Sequence, residues 1–315
     1  NVDDNGCSLS QLDDDGDGVM NDADLCSNTP TGETVDADGC HGGSVVTWGL
    51  YESGSSSFIS SAGLDLSSGV IEIFQAGNGW AALKSDGSVV TWGSNGYGGN
   101  SSSVSSDLSS GVIEVFSSGG AAAALKSDGS VITWGYEGSG GNSSSVSSDL
   151  SSDVIKIYST DEAFAALKSD GSVVTWGGWG GDSTSVSAEL NSGVISIHST
   201  PHAFAALKSD GSVVTWGGSP NGGDSSSVSS DLTSGVTEIF STGSAFAALK
   251  SDGSVVTWGS TYGGDSSSVS SDLSSGVNSI YSNKWAFAAL KSDGSVVTWG
   301  ESSVGGDSSS ISSEL

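Results

Sequence analysis

The chain has 315 residues, enough for one large domain and a small appendage, and its 35% hydrophobic content can fill a core. It carries 37 acidic residues against 8 basic ones, all Lys, for a net charge of −29. With neither Arg nor a basic stripe it excludes a nucleic-acid partner and an anionic membrane surface, and no apolar run reaches the ~18 residues needed to span a bilayer.

Gly (48 residues) and Ser dominate the remainder, a balance of short strands and tight turns that predicts an all-β fold. Cys7, Cys26 and Cys40 all lie in the first 40 residues, which suits a local staple in an oxidising compartment.

The first element in chain order is acidic. Asp13, Asp15 and Asp17 alternate around Gly turns and are followed by Asn21 and Asp24. Two carboxylates about 5 Å apart repel by roughly 3 kcal/mol at an effective dielectric of about 20, so a loop that gathers several calls for a hard cation such as Ca²⁺. A solvated acidic linker is the alternative. With Asp24-x-Cys26, Thr29-Pro30 and Val35-Asp36-x-x-Gly39-Cys40, the segment resembles a thrombospondin type 3 repeat of the bacterial kind. The resemblance implies a Ca²⁺ cofactor held by Asp13, Asp15, Asp17, Asn21 and Asp24, with the Val19 carbonyl as a backbone ligand. Asn21 stands where that family usually has Asp.

Val2-Asp3-x-x-Gly6-Cys7 repeats Val35-Asp36-x-x-Gly39-Cys40 at a spacing of 33, so the chain opens on the tail of a preceding repeat. On this reading Cys26 pairs with Cys40 as a disulfide, and Cys7 loses its partner because the sequence is a window on a longer polypeptide. A free thiol at Cys7 is the alternative. Residues 1 to 42 form this module, and residues 43 to 315 form the second region.

From residue 43 a unit of 40 to 44 residues recurs, marked by Trp-Gly at Trp48, Trp92, Trp134, Trp176, Trp216, Trp258 and Trp299. That period belongs to propeller blades or solenoid coils. Within a unit, Ala163 to Lys168 and Ser172 to Trp176 flank Asp170-Gly171, a hairpin signal repeated six times. Val70 to Phe74, Val112 to Phe116 and Val154 to Tyr158 predict a third strand, and the Ser-rich stretch is a candidate for a short outer one. In Ala163-Phe164-Ala165-Ala166-Leu167 both strand faces are apolar. A solenoid coil shows one face to water, whereas a blade is sandwiched between neighbours, so the pattern favours a propeller.

Ser-Gly-Val-x-x-Ile, then Ala-Leu-Lys-x-Asp-Gly-x-Val-x-x-Trp-Gly and a Gly-rich turn, resemble RCC1 repeats over residues 43 to 315, nearest to the secreted bacterial branch that includes the β-lactamase-inhibitor propeller. The resemblance implies about seven blades and a bacterial, extracellular or cell-surface location. Gly79, Ala121, Ala163, Ala203, Ala245 and Ala286 stand where family repeats carry His, so nucleotide exchange is not carried over. Seven Trp-Gly strands accompany only six Ala-Leu-Lys strands, which leaves the last blade incomplete: either the polypeptide continues past Leu315 or a neighbouring subunit supplies the strand.

Chemistry is sparse. His198 and His202 belong to one repeat and read as loop variation or an isolated metal site, and no catalytic arrangement recurs, so no enzyme is expected. Asp182, Asp224, Asp265 and Asp307 read as turn caps, and the six repeated lysines as solvated strand-end charges. The loops after each Trp-Gly and before each Ala-Phe-Ala vary while the framework is copied. They hold Trp80, Tyr97, Tyr136, Trp179, Tyr262 and Trp285, candidates for binding a protein or glycan, with drift after duplication as the alternative. The leading functional expectation is an extracellular structural or adhesive protein of an appendage or filament, self-associating and stiffened by calcium. The other is a soluble secreted propeller that binds a partner through these loops.

Overall fold

The computed structural model describes Leu66, residues 69 to 76 and residues 79 to 309. The proposed calcium ligands Asp13, Asp15, Asp17, Val19, Asn21 and Asp24, and the Cys26–Cys40 pair, lie outside these residues, as does the strand expected at Trp48. The described chain folds into six three-stranded antiparallel sheets, the blades of a propeller. Blade 1 is β1 (Val70–Ala76), β2 (Gly79–Lys84) and β3 (Val89–Gly93); blade 2 is β4 (Val112–Ser117), β5 (Ala121–Lys126) and β6 (Val131–Gly135). Blade 3 is β7 (Val154–Ser159), β8 (Ala163–Lys168) and β9 (Val173–Gly177); blade 4 is β10 (Val194–Ser199), β11 (Ala203–Lys208) and β12 (Val213–Gly217). Blade 5 is β13 (Val236–Ser241), β14 (Ala245–Lys250) and β15 (Val255–Gly259), and blade 6 is β16 (Val277–Ser282), β17 (Ala286–Lys291) and β18 (Val296–Gly300). Among the described residues no helix is long and apolar enough to cross a membrane.

Each middle strand is apolar on both sides because each side meets a different blade. In β5, Ala121, Ala123 and Leu125 pack on Leu150, Val154, Ile157, Phe164, Ala166 and Trp176 of the next repeat. The alternate residues Ala122 and Ala124 pack backwards on Ala81, Leu83 and Val89. The same two-sided packing recurs at the following junctions. Small Ala lets the sheets approach, and the enclosed aromatic at each later junction contributes roughly 1.5–3 kcal/mol by burial.

The blades are also bonded edge to edge. The amide of the first-strand Val donates to the hairpin Gly of the preceding blade, as in Val112 N to Gly87 O (2.9 Å) and Val236 N to Gly211 O (3.0 Å). First strands of successive blades adjoin one another and so form the inner wall. A register shift in every first strand leaves one extra residue there: Ile71, Ile113, Ile155, Ile195, Thr237 and Asn278. The four isoleucines are exposed on this edge, where the bulge breaks the ladder that would otherwise recruit a further strand.

Two expectations are corrected. The Ser-rich stretch forms no outer strand. It turns into short 3-10 segments such as Ser102–Val104 and Ser226–Val228, because its side chains satisfy the backbone locally: Asn100 Oδ1 accepts from Ser102 N (2.9 Å), and Ser109 Oγ donates to Ser106 O (2.7 Å). Nor are the lysines simply solvated. Lys126, Lys168, Lys208, Lys250 and Lys291 each donate from Nζ to a backbone carbonyl 19 residues earlier, at Asp107, Asp149, Glu189, Asp231 and Asp272, clamping the Ser-rich arm to the hairpin.

The Asp-Gly hairpins form as expected. Asp210 Oδ1 accepts from Ser212 Oγ (2.6 Å) and Ser212 N (2.9 Å), and these bonds hold its carboxyl below the ordinary value of 3.8. Asp128, Asp170, Asp252 and Asp293 are lowered in the same way, by the Ser hydroxyl first. A depressed folded-state pKa gives stability that is complete above the unfolded value and lost as pH falls through the folded one. Meanwhile the self-repulsion of a −29 chain eases as carboxylates protonate. The thermal midpoint should therefore rise from pH 7 to about 5 and fall below about 3.8. A midpoint still rising at pH 2.5 would show that the turn carboxylates contribute nothing.

Candidate functional site

In each hairpin the start of the middle strand pairs with the end of the third, as in Ala203 with Gly217 and Ala245 with Gly259. The loop before the middle strand and the loop after Trp-Gly, about 15 residues apart in sequence, therefore meet at one end of the blade. Five of the six predicted aromatics stand in these loops, between 38% (Trp285) and 65% (Trp179) exposed; Trp80 instead lies within β2, where the other blades carry Ala or Phe on a junction face.

The structure joins several of them across blade junctions. Tyr97 of the first loop meets Tyr136 of the second, with ring centroids 5.8 Å apart. Trp179 meets His202 edge-on at 5.9 Å, and Tyr262 meets Trp285 edge-on at 6.2 Å, with Lys284 Nζ 5.1 Å from the Trp285 ring. Trp80 instead stacks on Trp92 of its own blade at 6.5 Å. Aromatic pairs thus mark the junctions of blades 1 and 2, 3 and 4, and 5 and 6. At the intervening junctions the equivalent positions hold Ser139 and Glu162, or Asn221 and Ser244, without an aromatic.

Inside this rim the ends of the first strands converge on a polar depression of about 600 Å³ lined by Gln75, Ser117, Ser159, Asp161, Ser199 and Pro201, among others. A run of backbone bonds crosses the blades here: Gly119 N donates to Asp161 O (2.7 Å), Asp161 N to Pro201 O (2.8 Å), and Gly243 N to Lys284 O (2.8 Å). The run breaks between residues 201 and 243 because proline has no N–H. Pro201→Ala should supply the missing donor, and the new amide should exchange as slowly as that of Asp161. Exchange as fast as an exposed loop amide would mean that the blades 4 and 5 are too far apart there.

Sequence reasoning missed the residues that make these turns rigid. Thr160, Thr200 and Thr242 directly follow the first strands and each accept, through Oγ1, the amide of the Ala three residues on (3.0–3.1 Å). The recurring Ser-Thr at 159–160, 199–200 and 241–242 was the available signal.

The loop backbone is tied to the core by the Trp-Gly indoles. Nε1 of Trp134, Trp176, Trp258 and Trp299 donates to the carbonyl of Gly98, Gly140, Gly222 and Gly263 on the preceding blade, at 2.9–3.0 Å. Trp216 lacks this bond. The loop it faces, residues 178 to 181, is two residues shorter than its counterpart at 136 to 141, so Gly180 does not reach it.

The histidines do not meet as a pair of ligands. His198 is on β10, 3.4 Å from Ser196 Oγ through Nε2, and burial lowers its pKa. His202 faces Trp179 in the rim. Asp182, Asp224, Asp265 and Asp307 are turn caps, accepting the amides of Thr184, Ser226, Ser267 and Ser309 at 2.9–3.0 Å. Among the described residues no three His, Cys, Asp or Glu side chains gather to hold a metal ion.

No family model matches the chain, and no curated protein matches it in sequence. Solved structures similar to it include the ectodomain of the Physcomitrella patens receptor kinase CR4 (16% identity, TM-score 0.43), covering 74% of this chain and 64% of that one. Human WBSCR16 (17%, TM-score 0.44) covers 73% and 77%, and Prp20p from Saccharomyces cerevisiae (15%, TM-score 0.41) covers 75% and 72%. This chain spans just under two thirds of the moss ectodomain's length. At these scores the likenesses carry no inference about ligand or activity, and the fold assignment rests on the blade geometry above.

Proposed function

We propose that this is an extracellular, non-catalytic binding propeller that holds a neutral protein or glycan surface on its aromatic rim. The observation that supports it is convergence: five half-exposed aromatics, Tyr97, Tyr136, Trp179, Tyr262 and Trp285, carried by two kinds of variable loop, stand at one end of the blades while the framework is copied. Rigid aromatics lose little entropy on binding and offer both an apolar face and, for Tyr and Trp, a polar edge. The net charge of −29 disfavours an anionic partner. The triple variant Tyr136→Ala, Trp179→Ala, Trp285→Ala is expected to lose binding at least about tenfold on arrays of neutral glycans and cell-surface proteins, with stability changed by under about 1.5 kcal/mol. Unchanged binding by that variant to a ligand of the parent protein would place the site elsewhere.

A second reading is self-association into a structural or adhesive filament, with Asp13, Asp15, Asp17, Val19, Asn21 and Asp24 binding Ca²⁺ and stiffening the N-terminal module beside a Cys26–Cys40 disulfide. It draws support from the exposed apolar residues Ile73 and Trp80 of blade 1 and Tyr281 and Leu290 of blade 6. Sedimentation with calcium and then with chelator tests it: assemblies that loosen in chelator agree with it, and compact monomers in both conditions exclude it.

A further inference from the structure

Every internal junction is assembled from two complementary sets of side chains. The trailing face of one blade gives Ala163, Ala165 and Leu167, with Tyr158 beside them, and the leading face of the next gives Leu190, Val194, Ile197, Phe204, Ala206 and Trp216. Among the described residues, the two ends of the blade series each carry one set without the other. Blade 6 presents the trailing set, Ala286, Ala288 and Leu290, with Tyr281 beside them. Blade 1 carries the leading set, Leu66, Val70, Ile73, Trp80, Ala82 and Trp92, of which Val70, Ala82 and Trp92 are buried together while Ile73 and Trp80 are exposed.

The exposures mark Leu290 and Tyr281 on one, and Ile73 and Trp80 on the other, as the open part of each set. Leu290 is 36% exposed, whereas Leu83, Leu125, Leu167, Leu207 and Leu249 are 2–7% exposed; Tyr281 is 63% exposed where Phe116 and Tyr158 are half-buried. At the other end Ile73 is 43% exposed, against 1–3% for Val115, Ile157, Ile197, Ile239 and Ile280. Trp80, at 43%, takes the place of Phe164, Phe204 and Phe246, which are fully enclosed.

We propose that blade 6 of one copy seats on blade 1 of a second copy, reproducing between chains the junction that the fold makes five times within one. Three observations select a second copy as the occupant. The two faces match each other by residue type and position. Neither set contains a charged residue, so these are faces on which two chains of net charge −29 can meet. Residues 43 to 65 repeat the Val-Val-Thr-Trp-Gly pattern once but contain neither Ala-x-Ala-x-Leu nor Val-x-x-Ile, so they can supply neither set whole. Because the two faces differ, the contact is heterologous and runs head to tail. The inference rests on the self-association reading and specifies its surface as stacked blades, in place of an exchanged strand.

The test uses the full chain. Leu290→Glu and Ile73→Glu each place a charge on one face, and since both positions are already partly exposed the variants should keep the parent's circular dichroism and thermal midpoint. Each is expected to weaken association at least tenfold by sedimentation. A photo-crosslinking amino acid at position 290, in an equal mixture of isotopically heavy and light chains, is expected to yield mixed-isotope crosslinks to residues 70 to 92. Crosslinks of like isotope only would mean that one chain closes on itself, and would overturn the proposal. Association unchanged by both substitutions would also overturn it while leaving self-association at another surface. Absence of association at any concentration would sink both.

Discussion

Phe246→Ala is expected to destabilise the protein by about 3–5 kcal/mol, the range for emptying a fully enclosed aromatic site. The Phe246 ring is inaccessible to solvent, stacks on Trp258 with centroids 5.4 Å apart, and packs against the Gly222 loop of the preceding blade. Blade 2 carries Ala122 at the equivalent place, so the framework can be built without the ring, but there it has Ile132 where blade 5 has Val256. A single truncation brings no such adjustment, and a cavity remains between blades 4 and 5. Denaturant melts with hydrogen exchange resolved by blade measure the effect. A loss under about 1 kcal/mol would show that the junction collapses around the gap.

Gly222→Ala is the second large effect, expected at about 2–5 kcal/mol, combining backbone strain with overpacking. Gly222 has φ of +100°, and a Cβ there would lie 2.5 Å from Phe246 Cδ2. Two other glycines separate these causes. Gly294 has φ of +89° but open space around it, so Gly294→Ala should cost only the strain, about 1–3 kcal/mol. Gly96 has neither a positive φ nor a neighbour within 4 Å, and Gly96→Ala should lie within about 0.5 kcal/mol of the parent. If all three behaved alike, the Gly222 loop would not be held against Phe246. Because the Gly222 carbonyl accepts the Trp258 indole, the variant should also raise exchange at the start of blade 5.

The candidate site was legible as a list but not as a place. Trp179 and Tyr262 stood out because a copied framework makes variation visible. That Trp179 would meet His202, and Tyr262 would meet Trp285, could not be read: each pair is 23 residues apart and joined only across a junction. The lysines were misread for a related reason. Their position at a strand end is local information, whereas the carbonyl that each one clamps is 19 residues away along an arm that the propensities placed in a strand.

The sequence by itself determined the elements and their use: a three-stranded unit repeated at 40 to 44 residues, Asp-Gly turns, and middle strands apolar on both faces. These follow from short-range causes, side-chain alternation along a strand and the backbone freedom of Gly at a tight turn. Only the tertiary structure decided which junction residues stay exposed, that the Ser-rich arms coil, and that the loop aromatics share one end of the blades. Those outcomes depend on how successive sheets stack and on what each edge finds opposite it. Leu290 and Leu249 sit in the same local sequence, Ala-Phe-Ala-Ala-Leu-Lys-Ser-Asp-Gly, yet one is 36% exposed and the other 7%, because a blade follows one and none among the described residues follows the other.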